Sequence, residues 1–318
     1  GLVDSHIPWT TGSPEDYDED EVPLPPTLAD IPEVRADYVK YLAEIAELDR
    51  IVGKVLQALD DAGKRDDTLV IFTSEQGGQW PFAKWTNFEA GLHTGFICRW
   101  PGKIAPGATT DALVQYPYAL PTLLGISCAT KDRDGAVSLN GESPASSLDG
   151  TSFLGVLLGK QTKHRDYAYA MHNNSAAGPP YPIRSVTDGR YRYIRNLLPE
   201  AEFFQKHMER TTPKNRHPYW PAWKQAAEKP GRARELFLSF RKRPAEELYD
   251  TIKDPHCLDN LAGKEDHSES QAELSKALDA WMKTEGDPGA ALDTPEAFYP
   301  RSIRKLRQDQ RAAKRKKH

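Results

Sequence analysis

The stretch that decides the fold covers residues 67–107 and reads DTLVIFTSEQGGQWPFAKWTNFEAGLHTGFICRWPGKIAPG. Residues 68–73 are apolar and rich in β-branched side chains, and a carboxylate and an amide follow at Glu75 and Gln76. A strand that ends in oxygen donors is a common way for α/β enzymes to build a site. Such donors are also the ligands that hard cations prefer. Because Lys84 follows among aromatic residues, the stretch predicts a cation and an anionic substrate held in one cleft.

A long amphipathic helix is predicted before this strand. Apolar residues recur at helical spacing over residues 34–59. We expect Asp30 to cap the helix through a D-x-x-E pattern with Glu33. Gly63 stands where a C-terminal cap belongs. The helix therefore leads directly into the strand at 68–73.

Strands and helices continue to alternate along the chain. The remaining predicted elements are strands at 95–100, 167–171, 183–186 and 190–195 and helices at 119–126, 148–158 and 272–282. This alternation predicts an α/β fold in which helices cover both faces of a sheet.

Bulk composition excludes several classes of function. At 318 residues the chain is long enough to bury a sizeable core. Its formal net charge of −4 favours neither nucleic acid nor a membrane as a partner. No run approaches the roughly 20 apolar residues of a membrane span, and no signal peptide is visible. The cysteines, Cys98, Cys128 and Cys257, are scattered, so they predict neither a disulfide framework nor a zinc site.

The motifs in 67–107 resemble the second half of a type I sulfatase, a member of the alkaline-phosphatase-like superfamily. That family reads TLVIFTSD-(N/H)-G, then K-G-T-x-Y-E-G-G, then a W-P-G turn. Here TLVIFTSEQG begins at Thr68, KWTNFEAG at Lys84 and WPG at Trp100. The WPFAKWTN and YPIRSV segments resemble the branch that includes heparan N-sulfatases, the sulfamidases.

The resemblance implies a fold and a domain division. We expect the C-terminal part of an alkaline-phosphatase-like α/β/α sandwich, followed by a small α+β subdomain. Residues 1–160 would belong to the catalytic α/β domain, and residues 161–298 to a subdomain of antiparallel strands and a helix. Residues 299–318 form a basic tail that we expect to be disordered.

The resemblance also implies catalytic roles. Glu75 and Gln76 stand where the family has Asp and Asn (or His) ligands of one calcium ion, and each side chain here is one methylene longer. Lys84 corresponds to a lysine that contacts a sulfate oxygen. His6, in Ser-His-Ile-Pro-Trp, resembles the histidine of an H-x-P motif that can protonate the departing oxygen.

Three further residues are candidates for substrate contact. His172 resembles a histidine that lines the pocket of sulfamidase-like enzymes. Arg184 could bind a carboxylate or sulfate bidentately, or it could form an ion pair between domains. His93 could contact substrate or simply pack. Glu89 is expected to be structural and to tie its loop to neighbouring residues.

The implied activity is hydrolysis of sulfate esters or N-sulfo groups on a sulfated carbohydrate. The nucleophile of the family is a formylglycine made from Cys or Ser in C/S-x-P-S/A-R, and no cysteine of this chain has that context. The early Asp-Asp metal pair of the family is absent as well. We therefore expect a fragment that is inactive alone, from a parent enzyme that is periplasmic or secreted.

Other interpretations stay open. The chain could derive from a phosphoester or phosphonate hydrolase of the same superfamily. It could instead be a non-catalytic protein that binds sulfated polysaccharide through the basic segment 207–243 and the tail. It could also be a truncated product that does not fold, because an incomplete sheet exposes unpaired edges. The sequence makes no prediction of oligomeric state.

Overall fold

The structure is a computed structural model that describes residues 6–127, 130–131, 137–138, 148–173, 179–209 and 219–292. The predicted tail at 299–318 lies outside these residues. The helices are α1 (Pro32–Asp61), α2 (Glu89–Leu92), α3 (Ala119–Ser127), α4 (Leu154–Leu157), α5 (Lys206–Glu209), α6 (Tyr219–Ala226), α7 (Arg232–Arg241) and α8 (Ser268–Thr284). The strands are β1 (Val70–Thr73), β2 (Phe96–Arg99), β3 (Thr130–Lys131), β4 (Val137–Ser138), β5 (Ala168–His172), β6 (Ile183–Thr187), β7 (Tyr191–Asn196) and β8 (Glu246–Asp250). No helix within the described ranges is both long and apolar enough to cross a membrane.

Helix α1 confirms the long amphipathic helix, but the predicted cap is wrong. The residue before the first helical turn is Ile31, and no side chain caps the start of the helix. The Asp30 carboxylate accepts hydrogen bonds from Arg35 at 2.5 and 3.0 Å instead, so it is not free to cap. At the other end, Gly63 has a φ of +62°, the left-handed conformation that a C-terminal glycine supplies.

Strands β1 and β2 pair antiparallel, with Thr73 opposite Phe96. The chain between them, residues 74–95, forms one long excursion that carries most of the predicted site. Its two ends are held together because the Ser74 amide donates a hydrogen bond to the Gly95 carbonyl at 3.0 Å. The strand pairing therefore brings the first and last residues of the excursion side by side.

The second sheet contains four antiparallel strands in the order β5-β6-β7-β8. The predicted hairpin is confirmed by β6 and β7, which are joined through a turn where Gly189 has a φ of +98°. Helix α8 packs on this sheet and buries Leu274 and Leu278 against Val186 and Leu248. These elements match the antiparallel strands and the last helix that the sequence predicts.

The larger apolar cluster joins parts of the chain that are far apart in sequence. It combines the excursion after β1, the four-stranded sheet, and helices α6 and α7. Its largest side chains are aromatic: Trp9, Trp80, Phe82, Phe88, Tyr181, Phe203, Tyr219, Trp220, Trp223, Phe240 and Tyr249. Both predicted domains contribute to this one core, and the boundary at residue 160 stays a prediction.

The basic segment 207–243 contains two helices that sequence reasoning missed, α6 and α7. Several of its cations pair with carboxylates inside the protein. These ion pairs are Lys224–Glu209, Arg241–Glu202 and Arg243–Glu247, with N–O distances of 2.7, 2.8 and 2.6 Å. The described part of the segment therefore offers fewer free cations to a polysaccharide than its composition suggests.

The buried pair Arg243–Glu247 gives a test of the packing. Both side chains are almost fully buried, and Glu247 also accepts a hydrogen bond from Asn196. We expect Glu247→Ala to lower the free energy of unfolding by about 3–5 kcal/mol, because it leaves the guanidinium buried without its partner. Urea denaturation monitored by tryptophan fluorescence measures the change. Glu47→Ala, which breaks an exposed pair with Arg50, should leave the midpoint unchanged. Equal midpoints for the two variants would contradict the packing described here.

Candidate functional site

A cavity of about 740 Å³ opens where the excursion between β1 and β2 meets strand β5. Its walls come from both ends of the excursion, from residues 110–117, and from β5 itself. Four predicted site residues line it: Glu75, Gln76, His93 and His172. The structure thus gathers one predicted metal-ligand pair and two predicted substrate-contacting histidines around one space.

Strand pairing explains why the two ends of the excursion meet at the cavity. Glu75 follows β1 by two residues, and His93 precedes β2 by three. Because β1 and β2 are antiparallel neighbours, side chains just beyond their paired ends lie next to each other. A residue pair 18 positions apart in sequence therefore shares one rim of the cavity.

Tyr116 fastens this rim and was missed by sequence reasoning. Its hydroxyl accepts a hydrogen bond from Thr73 Oγ1 at 2.6 Å and donates to the Ser74 carbonyl. It also shares a hydrogen bond of 2.7 Å with Thr94 Oγ1. One phenol therefore links the end of β1 to the residues that precede β2. Nothing in the local sequence marks this tyrosine, because the contact depends on a chain segment 42 residues away.

Glu89 has the structural role that the sequence predicts. Its carboxylate accepts hydrogen bonds from Arg192 on β7 at 2.6 and 2.7 Å, and it pairs with His93 Nδ1 at 2.8 Å. Burial acts to raise the pKa of Glu89, but the bonds to His93 and Arg192 outweigh it and lower the pKa to about 2. The stabilisation is therefore present above the ordinary carboxyl range and is lost only as the pH falls towards 2. The same carboxylate raises the pKa of His93.

Asn87 is a second tie between the excursion and the four-stranded sheet. Its side chain is fully buried and lines the cavity. Its Nδ2 donates to the Ala170 carbonyl on β5 at 3.1 Å and to Ser185 Oγ on β6 at 2.8 Å. His172 lies two residues beyond Ala170, so this bond fixes the strand that carries the histidine. Sequence reasoning did not select Asn87, although a polar residue among the aromatics of WTNF was a signal that could have done so.

Lys84 lies behind the cavity wall. It is only 7% exposed, and its Nζ lies 5.3 Å from the centre of the Trp85 ring, which lines the cavity. Burial lowers the pKa of Lys84, and the negative charge of Glu75 acts in the opposite direction. The ammonium and the Glu75 carboxylate are therefore close enough to influence each other. The backbone of Lys84 is held by Gln205, whose Nε2 donates to the lysine carbonyl at 2.8 Å.

His6 is exposed and is not among the cavity-lining residues. Its neighbour Ile7 is anchored to the excursion, because the Ile7 amide donates to Gln79 Oε1 at 2.7 Å. The structure therefore places His6 beside the same loop that carries Lys84. Its predicted role as proton donor stays a prediction.

Arg184 is fully buried and forms a bidentate ion pair with Asp287, of which one N–O distance is 3.0 Å. Its Nη1 also donates to Asn173 Oδ1 at 2.8 Å. These contacts favour a structural ion pair over contact with substrate, but the pair lies within the predicted 161–298 subdomain and does not join two domains.

The predicted calcium ligands, Glu75 and Gln76, lie side by side on the cavity wall. Within the described ranges, no group of three or more His, Cys, Asp or Glu side chains is placed to hold a metal ion. Glu75 and Gln76 supply two oxygen donors on the cavity wall, whereas calcium takes six to eight oxygens. Carboxylate and amide oxygens are donors that calcium accepts, but these two side chains alone do not complete its coordination.

The charges around the cavity also favour a cation. Glu75 and Asp111 line it, and neither forms an ion pair with another described residue. The remaining lining carboxylate, Glu89, is neutralised by Arg192. The wall is therefore acidic, which by itself would repel an anionic ligand.

Sequence comparisons show that the chain is similar to sulfatases. The sulfatase family model matches residues 2–127. An ulvan-active sulfatase of Formosa agariphila is 31% identical over 268 residues, which cover 83% of this chain and 41% of that protein. The N-sulphoglucosamine sulphohydrolase of Homo sapiens is 28% identical over 308 residues, covering 88% of this chain and 54% of that enzyme. The chain thus spans about half the length, or less, of these relatives.

The solved structures agree on the fold. A protein in complex with its substrate, D-glucosamine-2-N,6-O-disulfate, superposes with a TM-score of 0.55 at 20% identity. The match covers 82% of this chain and 44% of that one. The likeness confirms the α/β fold class. The family model and the sequence matches show that the chain belongs to the sulfatase family.

Proposed function

We propose that this chain forms the substrate-facing wall of a hydrolase that removes sulfate from esters or N-sulfo groups of sulfated carbohydrates. The observation that carries the proposal is the shared cavity, which gathers Glu75, Gln76, His93 and His172 in a chain of the sulfatase family. Its volume lies in the range of sites for small organic ligands. The relatives that act on ulvan and on N-sulphoglucosamine support a sulfated sugar as the substrate class.

The acidic wall would repel the sulfate groups of the substrate, and a divalent cation bound to the wall would remove that repulsion. We assign calcium to this role. Glu75 and Gln76 would supply two of its oxygen ligands, and groups other than these two side chains would supply the rest. When bound, calcium would attract the sulfonyl oxygens of the substrate and stabilise the charge that develops on them. Lys84 adds positive potential from behind Trp85, where its low exposure limits screening by water.

The remaining residues of the chain bind and orient the sugar. His172 on β5 and His93 on the opposite rim can donate hydrogen bonds to hydroxyl or sulfate oxygens. His6, beside the Lys84 loop, is proposed to supply a proton to the departing oxygen. Arg184 takes a structural part in this proposal, because Asp287 occupies its guanidinium. A periplasmic or secreted location is part of the same proposal.

The first prediction concerns calcium. We expect D-glucosamine-2-N,6-O-disulfate to bind at least about tenfold more weakly after EDTA treatment, because the acidic wall then faces the sulfate groups without a cation. Isothermal titration calorimetry measures the affinity with and without calcium. Glu75→Ala should weaken calcium binding itself, measured by the same method without the sugar. The matched control is Asp111→Ala, which removes a cavity carboxylate that is not a proposed ligand and should therefore weaken calcium binding less than Glu75→Ala does.

Two outcomes would contradict this assignment. One is sugar binding that does not respond to calcium, and the other is an equal effect of Glu75→Ala and Asp111→Ala. Equal affinity for D-glucosamine 6-phosphate would favour the phosphoester hydrolase interpretation instead.

The second prediction concerns turnover. We expect residues 1–318 alone to release no sulfate from 4-nitrophenyl sulfate or N-sulfoglucosamine, because the chain contains no C/S-x-P-S/A-R motif. Neither described cysteine is activated, since burial raises the pKa of Cys98 to about 11 and that of Cys257 to about 12. Ion chromatography of free sulfate, with calcium present, checks the prediction. Metal-dependent release that Glu75→Ala abolishes would show that the chain carries a nucleophile not recognised here.

A further inference from the structure

Trp85 is the only residue of the segment 79–88 that is not buried. It is half-buried, and it is one of the residues that line the cavity. Burial of a large apolar side chain is favourable, and the core next to this segment already contains Trp80, Phe82 and Phe88. Trp85 therefore stands at the cavity, whereas its aromatic neighbours in the sequence pack into the core.

The backbone of Trp85 is left-handed, with a φ of +61°. A bulky side chain rarely adopts this conformation, because its Cβ crowds the backbone, whereas glycine adopts it freely. The family pattern that the sequence resembles, K-G-T, has a glycine at this position, and this chain has a tryptophan there. The local fold therefore does not require a tryptophan, and an unfavourable backbone conformation of this kind points to a function of the side chain.

Hydrogen bonds of neighbouring residues hold this conformation. The Thr86 amide donates to the Ala83 carbonyl at 3.1 Å, which closes the turn around Trp85. The buried Gln205 donates from Nε2 to the carbonyls of Lys84 and Trp85, at 2.8 and 3.3 Å. The side chain of Trp85 is thus attached to a fixed backbone, so little conformational entropy is lost when a ligand binds to it.

Trp85 also lies next to the charges that are proposed to attract a sulfate group. The Lys84 Nζ lies 5.3 Å from the centre of the Trp85 ring. The same ammonium interacts electrostatically with Glu75, which lines the cavity. The carbon atoms of a sugar whose sulfate group is held by these charges would therefore lie beside the indole.

We propose that the indole of Trp85 stacks on the ring of the sulfated sugar and so favours a pyranose over an open-chain sulfate. This inference rests on the proposed function and names a specificity-determining residue of the same site. The faces of a pyranose ring expose C–H groups, which pack on the electron-rich face of an aromatic ring. The hydroxyl and sulfate groups lie around the edge of the sugar, where His93 and His172 are proposed to bind them.

The test compares two ligands in the presence of calcium. They are D-glucosamine-2-N,6-O-disulfate and the alditol made from it by reduction, which keeps both sulfate groups but has no ring. For the unmodified protein we expect the ring form to bind more tightly in calorimetry. We also expect its C–H protons to shift upfield in NMR spectra, because they lie over an aromatic face. These measurements need no variant, so they do not depend on whether a substitution folds.

Variants then assign the effect to the tryptophan. Trp85→Gly should reduce the preference for the ring form about three- to tenfold, the value of one aromatic stacking contact, and should abolish the upfield shifts. Glycine suits the left-handed backbone, so we expect this variant to fold with an unchanged circular dichroism spectrum. Trp85→Phe should retain part of the preference, because it keeps a smaller aromatic face. Trp100→Phe is the matched control, since it changes a half-buried tryptophan outside the cavity lining, and it should leave the preference unchanged.

Two results would overturn the inference while leaving the proposed function intact. The ring protons of the bound sugar could show no upfield shift, or Trp85→Gly could keep the full preference for the ring form. Failure of both sulfated ligands to bind the unmodified protein would instead overturn the proposed function, and the inference with it.

Discussion

The ion pair between Glu89 and Arg192 is the contact on which the site depends. It joins the excursion after β1 to β7, one of the two inner strands of the four-stranded sheet. Depression of the Glu89 pKa from the ordinary 4.5 to about 2 corresponds to about 3 kcal/mol in favour of the charged carboxylate. Asn87, two residues earlier, adds hydrogen bonds to β5 and β6. Together these bonds bring Glu75 and His93 of the excursion to face His172 of the sheet.

The docking of the excursion on the sheet determines how the acidic lining of the cavity is interpreted. A carboxylate at the end of a strand could be an ordinary solvated turn, and nothing in Ser-Glu-Gln-Gly alone argues against that reading. Once the excursion is docked, however, Glu75 faces a concave space that it shares with two histidines. Lys84 is buried nearby and interacts with Glu75 electrostatically. An acid directed into a cavity beside a desolvated lysine is an arrangement suited to a cation and an oxyanion together.

The sequence predicted those features that depend on local patterns or on continuous motifs. Periodicity located α1, the strand motif located β1, and alternation around a turn located the β6–β7 hairpin. Sequence-based prediction failed where a side chain binds a partner other than the expected one. Asp30 has the right residue type for a cap, but Arg35 captures its carboxylate. Helices α6 and α7 were missed because their Lys, Arg, Trp and Pro content gives a weak periodic signal, while burial of Trp220 and Trp223 stabilises them.

The arginines show the same limit of sequence-based prediction near the site. Motif resemblance directs attention to Arg184, because it stands in a recognisable YPIRSV segment. Whether an arginine is available to a ligand depends on the acids around it, and those come from distant parts of the chain: Asp287 is 103 residues from Arg184. Arg165 belongs to no motif, and among the described residues two aromatic rings and one amide, rather than a carboxylate, surround its guanidinium. Since an ion pair satisfies a guanidinium inside the protein, a motif alone does not make an arginine available to an anionic group of the substrate.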